Sequence, residues 1–408
     1  MRPFKSPDRL RVAVMFGGLS VEHEISVITG LQLMEAMDSL RYDAVPVYIA
    51  PNGRWYCGNA LLDKSFYSKL STSLNGLKFS SELCEVTLLP KPGVGGLTVL
   101  GRSFWQRSST IEVDVYMPVF HGRHGEDGAL QGLLELCAVP YTGSSVAASS
   151  LSMDKDSVKT FLRHYGIESL PHESFYKGEL SSCGIDGICE RIASSDGLSS
   201  FPLIVKPSRL GSSIGISTAQ DEASLRMALM QAFSYDSKVI VEPYLSDISE
   251  INISVLPDGR ASVCEMPIAG NEILSYTDKY LGEAKKAPGG CAASKASGMA
   301  TLSRVIDPEE ISADVKARVR DWALLAYSAI AAAGVVRFDF ILDNPRSELY
   351  FNEVNSLPGS LAYYLWEKTE PRLLYTELID ILIRDAQRSY AQKASLDCAI
   401  NFKALYRG

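Results

Sequence analysis

The 408-residue chain lacks any apolar run long enough to cross a bilayer, and its opening MRPFKSPDRL lacks the hydrophobic core of a secretion signal. No membrane role is expected, and the cytoplasm is the expected compartment. An excess of basic charge is missing as well: 40 Lys and Arg against 48 Asp and Glu give a formal net charge of -8. Bulk attraction to nucleic acid or to anionic membranes is therefore not expected, and any phosphate site must be local. The eight cysteines form no CxxC pair, and no histidine lies at zinc spacing from them, which favours reduced thiols over a disulfide framework or a zinc site. Neither GxxxxGK[ST] nor a GxGxxG after the first strand is present, which argues against a P-loop NTPase and a dinucleotide-binding dehydrogenase.

What is present reads as an α/β protein, with 46% hydrophobic and 22% charged residues and enough length for two or three domains. RVAVMF, the turn GGLS, the apolar-periodic EISVITGLQLMEAM and DAVPVYIA predict strand, turn, helix and strand, a βαβ start. Residues 53–112, rich in Ser, Gly and Leu with a break at KPGVGG, predict an irregular, partly hairpin-forming insertion. VDVYMPVF restores a buried strand, HGRHGEDG is a polar glycine loop, and ALQGLLELC predicts a helix. A helix over about 152–165 is expected to be capped by Ser152 and ended by Gly166. FPLIVKP, GISTA and KVIVEPYL read as strands around the loop SRLGSSIG and the helix DEASLRMALMQAF. INISVLP, ASVCEMPI, a long Gly/Ala/Ser/Lys loop, a helix near 312–333, a hairpin and the helix YTELIDILIRDAQ follow. The expected division is 1–150, 151–248, 249–385 and a C-terminal extension over 386–408.

The chemistry concentrates in the hairpin. VVRFDFIL and LYFNEVNS alternate, so Arg337 and Asp339 share a face of one strand and Glu353 and Asn355 a face of the next, across the turn DNPRSE. Paired in register, Asp339 lies opposite Glu353, and two carboxylates that close call for a cation. Oxygen donors without Cys or His favour magnesium, which takes one or two protein carboxylates plus substrate phosphates. A solvated hairpin edge with a chance acidic cluster fits the same residues. Lys206 ends an apolar strand and leads into a loop whose amides and hydroxyls, those of Ser212 and Ser213 included, can close on phosphate oxygens. A buried lysine there needs an anionic partner, and phosphate is the simplest; a purely structural glycine turn is the alternative. Glu242 to Leu245 can offer backbone groups to an adenine edge or be an ordinary strand exit. GGLSVEHEIS and HGRHGEDG both follow apolar strands, so they emerge at one sheet edge, where open α/β sheets bind ligands. Glu22 and His121 are candidate substrate contacts there, although a lone Glu22 also fits a helix-start acid and His121 a loop hydrogen-bonder.

The order GGLSVEHEIS, PVFHGRHGEDGALQGLLEL, VPYTGS, SMDK, VKPSRLGSSIG, VEPYL, SYTDKY, RFDF and NEVNSLPG resembles the D-alanine:D-alanine ligases of the ATP-grasp superfamily over roughly residues 10–385. The resemblance implies a three-lobed ATP-grasp architecture with an N-terminal βαβ parallel-sheet domain. It implies ATP-dependent, ADP-forming ligation of two small amino acids through an acyl phosphate, most simply two D-alanines for peptidoglycan precursors. By the same resemblance Glu22 holds the first ammonium group and is linked to Ser212 and Tyr280, while Lys155, Lys206 and Lys279 neutralise phosphate oxygens. Asp339, Glu353 and Asn355 would hold two magnesium ions, with manganese as a substitute. Arg337 and the Gly359 amide would stabilise the oxyanion of the tetrahedral intermediate. Adenine would sit at Glu242 to Leu245, with Glu250 toward the ribose at a spacing one residue longer than usual. Family habit implies a homodimer through the first domain.

The chain departs from the family where a serine helps to hold the second substrate's carboxylate; counting from Pro358, Tyr364 stands there. A tyrosine hydroxyl can donate to a carboxylate, but it reaches further and narrows the pocket, which opens D-serine, D-lactate or another acceptor as alternatives. Tyr363, Tyr364 and Trp366 as core aromatics fit equally. The small-residue stretch over about 285–308 is expected to be a flexible lid over ATP. A catalytically silent nucleotide-binding protein is the remaining alternative, and the full set of phosphate and metal residues speaks against it.

Overall fold

The computed structural model describes residues 9–70, 83–100, 109–268 and 304–396. In the first domain β1 (Leu10–Gly17), α1 (His23–Ala36) and β2 (Tyr42–Ile49) form the expected parallel βαβ unit. The insertion is more regular than its composition predicts. Its described parts form β3 (Trp55–Cys57), α2 (Lys64–Leu70), β4 (Cys84–Leu88), β5 (Leu97–Val99) and β6 (Thr110–Ile111). These strands add to the sheet antiparallel, burying Tyr56, Val86 and Leu97. β7 (Val115–Pro118) closes the other side of β1 in parallel and leads to α3 (Ala129–Cys137). β1 has no polar residue from Val12 to Phe16 because both its faces are covered. Val12, Val14 and Phe16 pack with α1 and the C-terminal helix, and Ala13 and Met15 pack with Leu130 and Leu134 of α3.

The second lobe begins with two helices where one was expected: α4 (Val146–Met153) and α5 (Lys155–Arg163). Ser152 is therefore not a cap but lies inside α4. Asp154 caps α5 by accepting the Ser157 N–H at 3.0 Å, because a carboxylate satisfies first-turn amides better than a residue still held in the preceding turn. The helix ends at Arg163, with Gly166 in the following turn at φ +77°. β8 (Glu173–Tyr176), α6 (Glu179–Ser182), α7 (Gly184–Ser194), β9 (Leu203–Pro207), β10 (Ser217–Ala219), α8 (Glu222–Tyr235) and β11 (Lys238–Pro243) complete a four-stranded antiparallel sheet.

The third lobe contains β12 (Ile248–Val255), β13 (Glu265–Pro267), β14 (Arg304–Ile306), α9 (Ala313–Ala329), β15 (Val336–Asp343) and β16 (Glu348–Asn355), then α10 (Tyr363–Trp366) and α11 (Tyr375–Ala394). Its sheet runs β14-β13-β12-β15-β16. The stretch expected to be a lid includes β14, an edge strand among the described residues and paired with β13; its part before residue 304, like Lys279 and Tyr280, lies outside the described residues. α11 runs through the boundary expected at 386, and its Leu378, Ile379, Leu382 and Ile383 pack against the first domain's sheet. The final helix thus ties the third lobe to the first. Among the described residues no helix is long and apolar enough to cross a membrane.

Candidate active site

The three lobes meet around one cavity, and register explains much of its wall. Ile306 pairs with Glu265, Glu265 with Asn252, Asn252 with Asp339, and Asp339 with Glu353, so a row of polar side chains crosses four strands on one face. The expected opposition of Asp339 and Glu353 is present, with a register shift just after Asp339. Side-chain cations meet both carboxylates. Arg337 grips Asp339 through Nε and Nη2, each at 2.7 Å, and Lys155 approaches Glu353 at 3.1 Å. Asn355 donates its Nδ2 to Asp339 at 2.9 Å. Burial raises the Asp339 carboxyl, Arg337 opposes that, and Glu353 and Glu265 add to it; the net shift is upward.

Opposite this sheet the first domain contributes Glu22 and His121. Glu22 is the residue before α1, delivered by the Gly17–Gly18 turn, and its carboxylate accepts the Ser212 hydroxyl proton across the lobes. Ser212 and Ser213 both take left-handed backbone, at φ +55° and +57°, a costly conformation for residues with a Cβ. His121 has both ring nitrogens engaged. Its Nδ1 lies 3.0 Å from the Leu357 carbonyl, so Nδ1 carries the proton, and Nε2 accepts from Thr29 at 3.1 Å. Burial drives its pKa down to about 4, the Leu357 carbonyl opposes this, and the Arg337 charge adds to it, so the ring is neutral near pH 7. Glu126 sits beside Glu22, accepting N–H groups from Gly122 at 2.6 Å and Leu357 at 3.2 Å. Burial first, then the nearby Glu22, pushes its pKa up to about 8.

At the far end Lys206 reaches Glu242 at 2.7 Å, and Lys159 contacts the other oxygen of the same carboxylate. Glu242 is fully buried; burial alone raises its pKa, but Lys159 and Lys206 outweigh that and hold it well below the usual range. The buried lysine at the strand end thus has a carboxylate partner within the protein as well as a face on the cavity. Leu245, Glu250, Ser213 and Gly359 line the same space, together with Ile204, Tyr244, Ile248 and Ile341, an apolar stretch suited to a flat base.

Tyr364 is the exception among the described candidates. It lies behind the wall, donating its hydroxyl to Glu265 Oε1 at 3.0 Å, with the Arg304 guanidinium 4.0 Å from its ring centroid. Glu265 and Arg304 themselves line the cavity. Among the described residues no group of three or more His, Cys, Asp or Glu side chains is arranged to hold a metal ion; the candidate is the Asp339–Glu353 pair with the Asn355 amide.

Two family models match the chain, D-ala D-ala ligase N-terminus over residues 11–144 and D-ala D-ala ligase C-terminus over residues 161–384. The chain belongs to the D-alanine–D-alanine ligase family. It is 32% identical over 395 residues to the D-alanine–D-alanine ligase of Caldicellulosiruptor bescii, covering 95% of this chain and 98% of that one. It is 32% identical over 407 residues to D-alanine–D-alanine ligase A of Chromobacterium violaceum, covering 98% and 100%. Among solved structures it is similar to the D-alanine–D-alanine ligase of Coxiella burnetii (TM-score 0.74, 25% identity, covering 95% of this chain and 96% of that one). It is also similar to the VanG D-Ala:D-Ser ligase of Enterococcus faecalis (TM-score 0.72, 26% identity, covering 93% and 99%). The mixed sheets described above are the ATP-grasp fold of these ligases.

Against this family background, sequence reasoning missed Lys159, Glu126, Glu265 and Arg304. Lys159 had a signal: it follows Lys155 by four residues, so both project from one face of α5. Glu126 sat inside a motif read for its histidines. Arg304 had none, because its strand ends a stretch whose composition predicts a loop.

Proposed function

We propose that the protein joins two D-alanine molecules, cleaving ATP to ADP and phosphate, to supply the dipeptide of peptidoglycan precursors. One observation carries this reading: the Glu22–Ser212 contact brings an ammonium-type anchor of the first domain against the small-residue loop of the second, facing Arg337, Asp339 and Glu353 of the third. Glu22 holds the donor's ammonium group, and His121, neutral and fixed by Thr29 and Leu357, shapes the donor site rather than carrying charge.

A donor carboxylate oxygen attacks the γ-phosphorus, the bond to the bridging oxygen breaks, and ADP leaves. The acceptor amine, having lost a proton from its ammonium form, attacks the acyl carbon. The C–N bond forms, the bond to the phosphate oxygen breaks, and phosphate and the second amine proton depart. Negative charge moves from phosphate to carbonyl oxygen along this course. Lys155, Lys206, Ser212 and Ser213 serve the phosphate oxygens, and Arg337 with the Gly359 amide serves the carbonyl oxygen; each fixed donor is worth about 3 kcal/mol in comparable sites. Lys279 and Tyr280 join this set by the family pattern. Adenine lies at Glu242 to Leu245, with Glu250 toward the ribose. Asp339, Glu353 and Asn355 would hold magnesium or manganese, two ions by family habit; an oxygen-only donor set with two opposed carboxylates suits that ion, which supplies charge neutralisation of the phosphates. A homodimer through the first domain and a cytoplasmic location complete the proposal.

Purified protein with ATP, magnesium and a panel of D- and L-amino acids tests it, reading ADP release and the mass and chirality of the product. D-alanyl-D-alanine is expected, and no ADP release with D-alanine overturns the reading. A second reading keeps the chemistry and changes the acceptor. Tyr364 favours it, since its hydroxyl bonds Glu265 where the family has a serine, and faster ADP release on adding D-serine or D-lactate to D-alanine would select it.

A further inference from the structure

We infer that Arg304 holds the acceptor's α-carboxylate, taking over the task of the family's serine, with Tyr364 and Glu265 as the residues that position it. The inference rests on the ligase reading above. An acceptor's carboxylate survives the reaction, so it must be accommodated as an anion inside the cavity, and a buried anion needs a cation or several donors. Four cations line the cavity among its described residues. Lys155 pairs with Glu353 and Lys206 with Glu242, at the metal and nucleotide ends, while Arg337 is gripped through two N–H groups by Asp339. Arg304 stands apart from these on the edge strand β14 and meets Glu265 through Nη1 at 2.8 Å.

Three features make it a built site. The guanidinium lies over the Tyr364 ring, 4.0 Å from its centroid, so its plane is fixed by a platform that a serine could not supply. Glu265 is only 1% exposed and accepts from Tyr364 at 3.0 Å, from Asn252 at 3.2 Å and from Arg304, so the carboxylate that anchors Arg304 is itself clamped. Tyr364, with its proton directed to Glu265 and its ring behind Arg304, has no donor to offer the cavity. The reaction centre is close: Glu265 and Tyr364 are both within electrostatic reach of Arg337. A guanidinium that lines the same space as the oxyanion-side arginine suits a carboxylate, so the acceptor is an amino or hydroxy acid with a free α-carboxylate.

The test is a competition. Wild type, Arg304→Gln and the double variant Glu265→Gln/Arg304→Gln receive ATP, magnesium and equal D-alanine and D-alaninamide, and the acid and amide dipeptides are quantified by mass spectrometry. The wild type is expected to favour the acid on the order of thirtyfold, the worth of one charged hydrogen-bond pair, and both variants to bring the ratio near one. The double variant leaves no buried carboxylate unpaired, so it reports even where the single variant fails to fold. Hydroxylamine trapping of the activated donor separates the two readings. Hydroxamate formed by all proteins together with an unchanged acid preference overturns the Arg304 assignment alone; no hydroxamate from the wild type overturns the ligase reading and the assignment with it.

Discussion

Lys159 and Glu242 form an ion pair that solvent does not reach, their side chains 1% and 0% exposed. Lys206 shares the same carboxylate, so one negative charge faces two positive ones. Burial lowers the Lys159 ammonium, Glu242 partly restores it, and the like charge of Lys206 lowers it again, to about 8. The two ends of the pair are therefore unequal. Lys159→Met leaves Glu242 with Lys206 and should cost about 1–2 kcal/mol, whereas Glu242→Gln takes from two buried ammonium groups the carboxylate they share and should cost about 3–5 kcal/mol. Urea midpoints of the two variants check this, and a smaller loss for Glu242→Gln than for Lys159→Met would contradict it.

Two glycines respond oppositely to alanine. Gly122 has φ +75°, and a Cβ there would stand 2.5 Å from Glu22 Oε2, so Gly122→Ala strains the turn and displaces the carboxylate proposed to hold the donor. Turnover should fall at least about tenfold, with a stability loss of about 1–2 kcal/mol. Gly132, inside α3, has nothing within 4 Å of its would-be Cβ, and Gly132→Ala should raise stability by about 1 kcal/mol with turnover unchanged. Melting temperatures and ADP release separate the two cases.

Glu126 sets a pH dependence. Its folded pKa, about 8, lies above the ordinary 4.5, so the folded state holds the proton more tightly. That contribution is fully present below about pH 4.5 and is lost as pH rises through 8, by at most about 5 kcal/mol at ~1.4 kcal/mol per unit. Glu126→Gln, which does not titrate, should show a flatter fall in melting temperature between pH 5 and 8 than the wild type. Equal slopes would mean that Glu126 ionises freely in the fold.

Alternation was enough to read which residues of β15 and β16 share a face, because side chains repeat every two residues along a strand, but it fixed the register only to about a residue; the observed pairing sets Asp339 opposite Glu353. The glycine turns before Glu22 and after Phe120 were equally legible, since the chain must turn sharply where a sheet edge delivers side chains. Partner choice was not. Lys206 reads as a phosphate ligand from its strand, yet the carboxylate it meets comes from β11, and only the antiparallel pairing of β9 with β11 brings Glu242 to it. Ser152 and Asp154 both have cap chemistry, and the choice between them depended on α4 ending at Met153, a boundary with no glycine or proline to mark it. Tyr364 was read from a motif count, which gives position along the chain but not the layer in which a side chain lies.

Glu353 and Asp339 separate metal binding from folding. Asp339 is buried and accepts two N–H groups of Arg337, so Asp339→Asn alters a proposed metal ligand and also removes the counter-charge of a buried guanidinium; any loss of turnover would mix the two. Glu353 is about a fifth exposed and its partner Lys155 keeps a second acceptor, the Leu210 carbonyl at 2.8 Å. Glu353→Gln should therefore cost no more than about 1 kcal/mol of stability. With one of two opposed carboxylates gone, the hairpin should hold a divalent cation far less well. Turnover should fall on the order of a hundredfold, and the magnesium concentration for half-maximal ADP release should rise at least about tenfold. A magnesium titration at fixed ATP and D-alanine, beside a melting curve, reads both quantities. Full turnover at the wild-type magnesium requirement would remove Glu353 from the proposed metal site.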